Sequence, residues 1–139
     1  KYDKPHSFNS LLSYQINEKY SLGVSTTIGS GQTYTPVIGK VHQAGIQSYS
    51  SLEKPYDNFG NIYGIRNGAR YPNYFRTDIS LGRKSKVFGL DSEFKFQIIN
   101  ITNHYNVLLY LWDHTASPSK VEAYSMFPII LTFGWEFKI

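Results

Sequence analysis

From Phe127 to the end of the chain, hydrophobic residues recur at every second position. Phe127, Ile129, Leu131, Phe133, Trp135, Phe137 and Ile139 fall on one side of an extended strand, and Thr132, Gly134, Glu136 and Lys138 on the other. A period of two is that of a β-strand, whose successive side chains point to opposite faces. The run is longer than the roughly 5–6 residues of an ordinary globular strand and suits a tilted bilayer crossing, which takes about 9–11.

The same alternation recurs upstream. Phe94, Phe96 and Ile98 alternate with Glu93, Lys95 and Gln97; Phe75, Ile79 and Leu81 alternate with Tyr74, Arg76, Asp78 and Ser80. Nearer the N-terminus, Leu22, Val24 and Ile28 alternate with Gly23, Ser25, Thr27 and Gly29, and Phe8, Leu12, Tyr14 and Ile16 with Asn9, Ser13 and Gln15. These patterns predict five strands. Their connections alternate in length: a tight turn at Asn17-Glu18-Lys19, a long loop over about 30–70, a short turn between Ser85 and Leu90, and an extended hairpin capped by Thr115 to Lys120. Short ends on one side and long ends on the other are the habit of outer-membrane barrels, which places the C-terminus on the periplasmic side.

Alternation leaves two environments open. In a soluble sandwich or small calyx the apolar face lines a core; in a membrane barrel it meets lipid, and the polar face meets a wet lumen. Small residues such as Gly23, Ser25 and Gly29, with charges at Arg76, Asp78, Glu136 and Lys138 on the polar face, favour the lumen. The expectation is therefore an all-β fold, a transmembrane antiparallel β-barrel segment.

Composition sharpens the class. Aromatic residues make up 17% of the chain, with 12 Tyr and 9 Phe, a mixture that suits strands. With no Cys, disulfides, thiolate metal sites and cysteine nucleophiles are excluded. The net charge of +4 comes from scattered Lys and Arg without a basic cluster, which argues against nucleic acid. No stretch is long and apolar enough for a membrane helix, and Lys1-Tyr2-Asp3-Lys4-Pro5 carries no signal-peptide core, so the chain is read as part of a mature or truncated polypeptide.

Two motifs point to a family. Thr132-Phe133-Gly134-Trp135-Glu136-Phe137-Lys138-Ile139 resembles the C-terminal signal read by the barrel-assembly machinery, with Thr132, Gly134, Phe137 and Ile139 in its pattern positions; the terminal Ile139 departs from the usual Phe. Gly64-Ile65-Arg66-Asn67-Gly68-Ala69-Arg70-Tyr71-Pro72-Asn73-Tyr74-Phe75-Arg76-Thr77-Asp78 leads into a strand of the form Pro-x-Tyr-x-Arg-x-Asp. The next strand carries Asn100-Ile101-Thr102-Asn103, and Phe127-Pro128 opens the last. Together these resemble a TonB-dependent outer-membrane transporter. The resemblance implies that residues 1–139 supply about the last five strands of a roughly 22-stranded barrel enclosing an N-terminal plug absent from this chain. It further implies a Gram-negative outer membrane, outer-membrane lipid and the remaining barrel strands as neighbours, coupling to TonB, ExbB and ExbD through the missing plug, and import of a scarce siderophore, vitamin, glycan or peptide. No cofactor, metal or enzymatic activity is implied.

Candidate residues follow from both readings. Tyr34, Tyr49, Tyr56 and Tyr63, with Arg66 and Arg70, give the long loop an aromatic and hydrogen-bonding surface for substrate. Arg76 and Asp78 share one strand face, the lumen and plug side together with Glu136 and Lys138, where a charge pair that fixes register is favoured over a solute contact. Asn100 and Asn103 interrupt their strand and suggest a bulge or irregular exit. Tyr105, Tyr110, Trp112, Tyr124 and Phe127 suit an outer aromatic girdle. His6, His42, His104 and His114 lack metal-ligand spacing, and Asp113-His114 with Ser117 and Ser119 only imitates a hydrolase site. The rival to transport is a barrel that anchors a surface lipoprotein or larger envelope complex and carries nothing.

Overall fold

The computed structural model describes residues 3–42, 59–113, 116 and 118–138. They are all-β and antiparallel, with no helix among them. Five strands build the main sheet: β1 (Ser7–Gln15), β2 (Tyr20–Gly29), β7 (Tyr74–Val87), β8 (Leu90–Ile99) and β11 (Ile130–Lys138), each beside its chain neighbour in the order β1-β2-β7-β8-β11. Two hairpins extend beyond one end. The first comprises β3 (Thr33–Tyr34) with β6 (Ala69–Arg70) and β4 (Val37–His42) with β5 (Phe59–Tyr63); the second is β9 (Val107–Asp113) with β10 (Lys120–Ser125). The sheet does not close on itself: the outer edges of β1 and β11 are unpaired among the described strands.

The five predicted strands are present, and the predicted alternation of connections holds. At the short end, Asn17 accepts from the backbone N–H groups of Lys19 and Tyr20 at 2.8 and 2.9 Å, an Asx turn that closes β1 onto β2. The β7–β8 turn has only Phe88 and Gly89 between the last paired residues, both with positive φ (53° and 81°), as a two-residue turn of the twist-matched kind requires.

At the long end the expectation from sequence needs correction. The segment over about 30–70 is not all loop. Its base continues the β2–β7 ladder in the same register, Gly29 opposite Tyr74 and then Thr33 opposite Arg70 and Tyr34 opposite Ala69. Tyr71 N–H donates to Gln32 O between them at 2.9 Å. β4 then pairs with β5, with a register shift inside that pairing between Val37 and Gly39. The last strand is also shorter than its pattern. Residues 127–129 keep the alternation but lie outside the ladder, because Pro128 has no N–H to give and the flanking backbone is held by side chains described below.

Cross-strand register sorts the sheet into two faces. On one, Tyr14, Leu22, Leu81, Phe96 and Phe133 form a row, and Leu12, Val24, Ile79, Ile98 and Leu131 the next. On the other, Ser13, Gly23, Ser80, Gln97 and Thr132 form a row, and Gln15, Ser21, Gly82, Lys95 and Gly134 the next. The apolar face has no core against it. Leu12, Leu131, Phe133 and Trp135 are all more than half exposed, and among the described residues Val37 is the one buried hydrophobic. What is buried is polar: Asp78, Ser92, Asn100 and Asn106. The accessible surface is 11102 Å², against the roughly 7,400 Å² expected of a compact monomer of this mass.

Candidate functional site

The buried polar residues gather where the five strands hand over to the hairpins. β8 ends at Asn100, whose φ of 55° turns the chain out of the sheet, and Asn103 (φ 50°) closes that turn by donating its N–H to Asn100 O at 2.8 Å. Asn tolerates this left-handed backbone better than other residues with a Cβ. Of the bulge or irregular exit expected here, the structure has the exit, as a left-handed turn. Asn100, only 2% exposed, spends its amide on both sides of the turn. It donates to His104 O and Phe127 O at 3.1 and 3.3 Å and accepts from His104 N–H at 3.1 Å.

Two further asparagines complete the clasp. Asn103 accepts from Ile129 N–H at 3.1 Å, which fixes the approach to β11. The Asn106 side chain brackets Phe75, accepting from its N–H and donating to its carbonyl, both at 2.8 Å. An amide side chain thereby stands in for a neighbouring strand at the head of β7. Asn106 O also accepts from Met126 N–H at 2.7 Å. Sequence reasoning misses Asn106, although its spacing of three from Asn103 repeats the spacing of Asn103 from Asn100.

Arg76 and Asp78 join this clasp. Their side chains, on the polar face as expected, form a three-bond pair of 2.6–3.0 Å in which Arg76 Nε and Nη2 donate to Asp78. Asp78 Oδ1 also accepts Asn100 N–H at 2.8 Å. Charge-assisted and bidentate, this is the strongest type of side-chain contact in the chain. The pair fixes β7 against the end of β8, and Thr77 O accepts Ile101 N–H at 2.8 Å alongside.

The substrate candidates separate into three groups. Tyr34 stacks on Tyr71, with ring centroids 4.4 Å apart and planes at 24°, and both rings meet Tyr110 of β9 at 5.4 and 5.2 Å. Burial raises the Tyr34 phenol above its ordinary value, and Tyr110 and Tyr71 add to the rise. Sequence alone gives Tyr71 no role and puts Tyr110 in a girdle; Tyr71 reaches Tyr34 through the β3–β6 pairing and Tyr110 through the ring contacts between the two hairpins. Arg70 holds the N-terminal segment, donating to Asp3 O, Asp3 Oδ2 and Gly31 O at 2.8–2.9 Å, so its guanidinium is engaged in structure. Tyr63 is 62% exposed and Arg66 exposed, both facing outward from the first hairpin. Tyr49 and Tyr56 lie outside the described residues, as do His114, Ser117 and Ile139.

At the short-turn end of the polar face, Lys95 Nζ donates to Glu136 Oε1 across the β8–β11 pair at 2.9 Å, and Lys86 faces Asp91 at 3.8 Å. Lys138 takes the register position opposite Asp91. Thr132 Oγ1 donates to Gln97 O at 3.4 Å, Gly134 has open space where a Cβ would stand, and Phe137 is about half exposed. Among the described residues no cluster of His, Asp or Glu is arranged to hold a metal.

The sheet therefore defines an antiparallel all-β protein with an uncovered apolar face, a charged and small-residue face, and an asparagine clasp at the hairpin end. Comparison with known protein families, with curated proteins and with solved structures finds no match to this chain.

Proposed function

We propose that this chain is wall and extracellular loop of an outer-membrane β-barrel, and that the barrel is a TonB-dependent transporter importing a scarce solute of the siderophore, vitamin, glycan or peptide class. The observation that carries the membrane part is the inversion of burial: large apolar side chains are exposed in continuous rows while, Val37 aside, the buried side chains among the described residues are Asp78, Ser92, Asn100 and Asn106. Water penalises such a face at roughly 25 cal/mol for each Å² of apolar surface left uncovered, whereas a lipid hydrocarbon does not. A meander with every short turn at one end and both long hairpins at the other supports the same reading.

The transport part rests on the motifs. The Arg76 and Asp78 strand, the Asn100 turn and the segment through Phe127-Pro128 all converge on one clasp, so the residues that resemble the family act together in space. On this reading the polar face borders a plug, the hairpins stand outside the cell, and β11 ends in the periplasm, where the assembly machinery meets its signal. Energy coupling through TonB, ExbB and ExbD belongs to the plug.

The test is fractionation of the native polypeptide that contains this segment. It should extract from the outer membrane in detergent, migrate faster unheated than boiled, and run far above 16.0 kDa. Recovery of the protein in a soluble fraction, folded without detergent, would overturn the membrane reading. Membrane fractionation with no import defect on deletion under solute limitation would overturn transport alone.

A further inference from the structure

The apolar face carries one ionised side chain. Register places Arg83 of β7 in a row with Tyr20 of β2, Phe94 of β8 and Trp135 of β11, all on the apolar side of the sheet. Every other residue of the five strands on this face is aliphatic, aromatic, Ser or Thr. The charged neighbours Lys84, Lys86, Asp91, Glu93 and Glu136 alternate to the opposite face. Among the described residues Arg83 has no carboxylate partner. It is exposed, with its guanidinium carbon 5.8 Å from the centre of the Tyr20 ring.

Its position along the strand is as specific as its face. From Phe75 to Arg83 is eight residues, roughly 26 Å along a strand, which at a barrel tilt of about 35–45° is close to 20 Å of membrane depth. The next row toward the turns is Ser85, Ser92 and Phe137, in which the two hydroxyls bond to each other at 2.9 Å. Arg83 therefore sits near the turn end of the apolar face, in a belt of Tyr20, Phe94 and Trp135, with Phe137 and then Val87 and Leu90 beyond it. Such a cation reaches the boundary by laying its methylenes along the apolar surface and lifting its head out of it. Lys19, Lys84 and Lys86 and the carboxylates of Glu18, Asp91, Glu93 and Glu136 border the same cleft of about 600 Å³, and among the described residues none of these carboxylates forms an ion pair with Arg83.

A planar fork of N–H donors, unpaired, at headgroup depth and flanked by interfacial aromatics, fits one ligand group: a phosphate diester. We infer that Arg83 binds the phosphate of a glycerophospholipid in the leaflet at the short-turn end, with the acyl chains lying along the rows headed by Leu81, Phe96 and Phe133. This site rests on the membrane reading above and adds a defined lipid contact to it.

Trp135, two strands away in the same row, reports occupancy. The full native protein, carrying Trp112→Phe so that this segment's signal is Trp135, is reconstituted in phosphatidylcholine vesicles doped with a trace of brominated phosphatidylglycerol or brominated diacylglycerol. Any other tryptophans of the full chain are subtracted with a Trp135→Phe control. The phosphate-bearing lipid should quench Trp135 about fivefold more per mole than diacylglycerol. Arg83→Gln should bring that ratio to about one, and Arg83→Lys should keep most of it. Equal quenching by the two lipids in the unsubstituted protein overturns the site even if Arg83→Gln fails to fold. Inorganic phosphate that abolishes the difference overturns a lipid source in favour of a free anion. If fully brominated phosphatidylcholine fails to quench Trp135 at all, the apolar face is not in the bilayer, and the membrane reading fails with the site.

Discussion

Asn100 is the residue whose loss the clasp should feel most. Replacing it by Ala removes two donated bonds, to His104 O and Phe127 O, and the acceptor for His104 N–H, and leaves a Cβ-bearing residue at φ 55° without the local amide that eases it. Each stranded partner at a buried site costs about 1–3 kcal/mol, but His104 is exposed and its groups regain water, so the low end applies to two of the three. The left-handed backbone adds roughly 1 kcal/mol for Ala over Asn. The expected loss is about 4–6 kcal/mol in unfolding.

Two companion variants separate those contributions. Asn100→Gly loses the same bonds but relieves the backbone, so it should be more stable than Asn100→Ala by about 1 kcal/mol. Asn100→Asp keeps the acceptor for His104 N–H but loses both donations and sets a second carboxylate beside Asp78, and should fall with or below Ala. Urea titration of the detergent-folded protein, followed by the loss of the fast-migrating unheated band and by tryptophan fluorescence, gives the three differences. If Asn100→Ala lies within about 0.5 kcal/mol of the parent, or Gly is worse than Ala, the Asn100 amide and its left-handed backbone do not hold the turn.

Three other outcomes are expected. Gly31→Ala would place a Cβ 2.7 Å from Pro72 O and closer still to the Tyr71 carbonyl, so the base of the first hairpin must shift; roughly 2–3 kcal/mol and a faster protease cut in the hairpin should follow, and unchanged proteolysis would count against it. Phe88→Asn should stabilise by about 0.5–1 kcal/mol, because Phe88 is 99% exposed at φ 53° and gives up no packing for a residue that accepts that backbone; a lower urea midpoint would show that Phe88 has a contact of its own. The phenol of Tyr34, raised by burial, should ionise after the exposed tyrosines in absorbance at about 295 nm, as the difference between the parent and Tyr34→Phe. Its contribution to hairpin docking is then complete below the ordinary phenol value near pH ~10 and is lost as pH rises through the raised one, so a hairpin that loosens at neutral pH argues against the stack.

How much of this was legible in the chain depends on the range of the interaction. Period-two alternation is a local property and marked all five strands, because most residues on one face of each strand are apolar, as Phe75, Ile79 and Leu81 of β7 and Phe94, Phe96 and Ile98 of β8 show. The β3–β6 extension was missed because Gly31, Pro72 and Asn73 read as loop, and nothing local says that Thr33 and Arg70, far apart in the chain, resume the register of β2 and β7. The shortfall in β11 has the opposite cause. Phe127 and Ile129 keep the strand pattern, yet Asn100 and Asn103 take their backbone partners, so side-chain competition outweighs periodicity. Arg70, expected on a binding surface, is held by Asp3, a partner 67 positions away that no pattern reveals.

The two ends of the sheet solve different problems, and the difference explains where polar residues are buried. At the short end the chain reverses within a few residues, and the turn satisfies its own hydrogen bonds, as Asn17 and the Phe88-Gly89 pair do. At the hairpin end β8 leaves the sheet after Ile99, level with Ile130 where β11 enters, while β7 runs on beyond both to Tyr74, so backbone groups are left over. Exposing those groups beside an apolar face would be costly if that face is in lipid, since no water competes there. Asn103 on Ile129, Asn100 on Phe127 and Asp78 on Asn100 each satisfy one such group, and Asn106 satisfies both the N–H and the carbonyl of Phe75. On the membrane reading, the asparagines are a requirement of ending strands of unequal length at the edge of the lipid. Moving the clasp by one residue, for instance by deleting Thr102, should abolish the heat-modifiable band although no strand residue is changed.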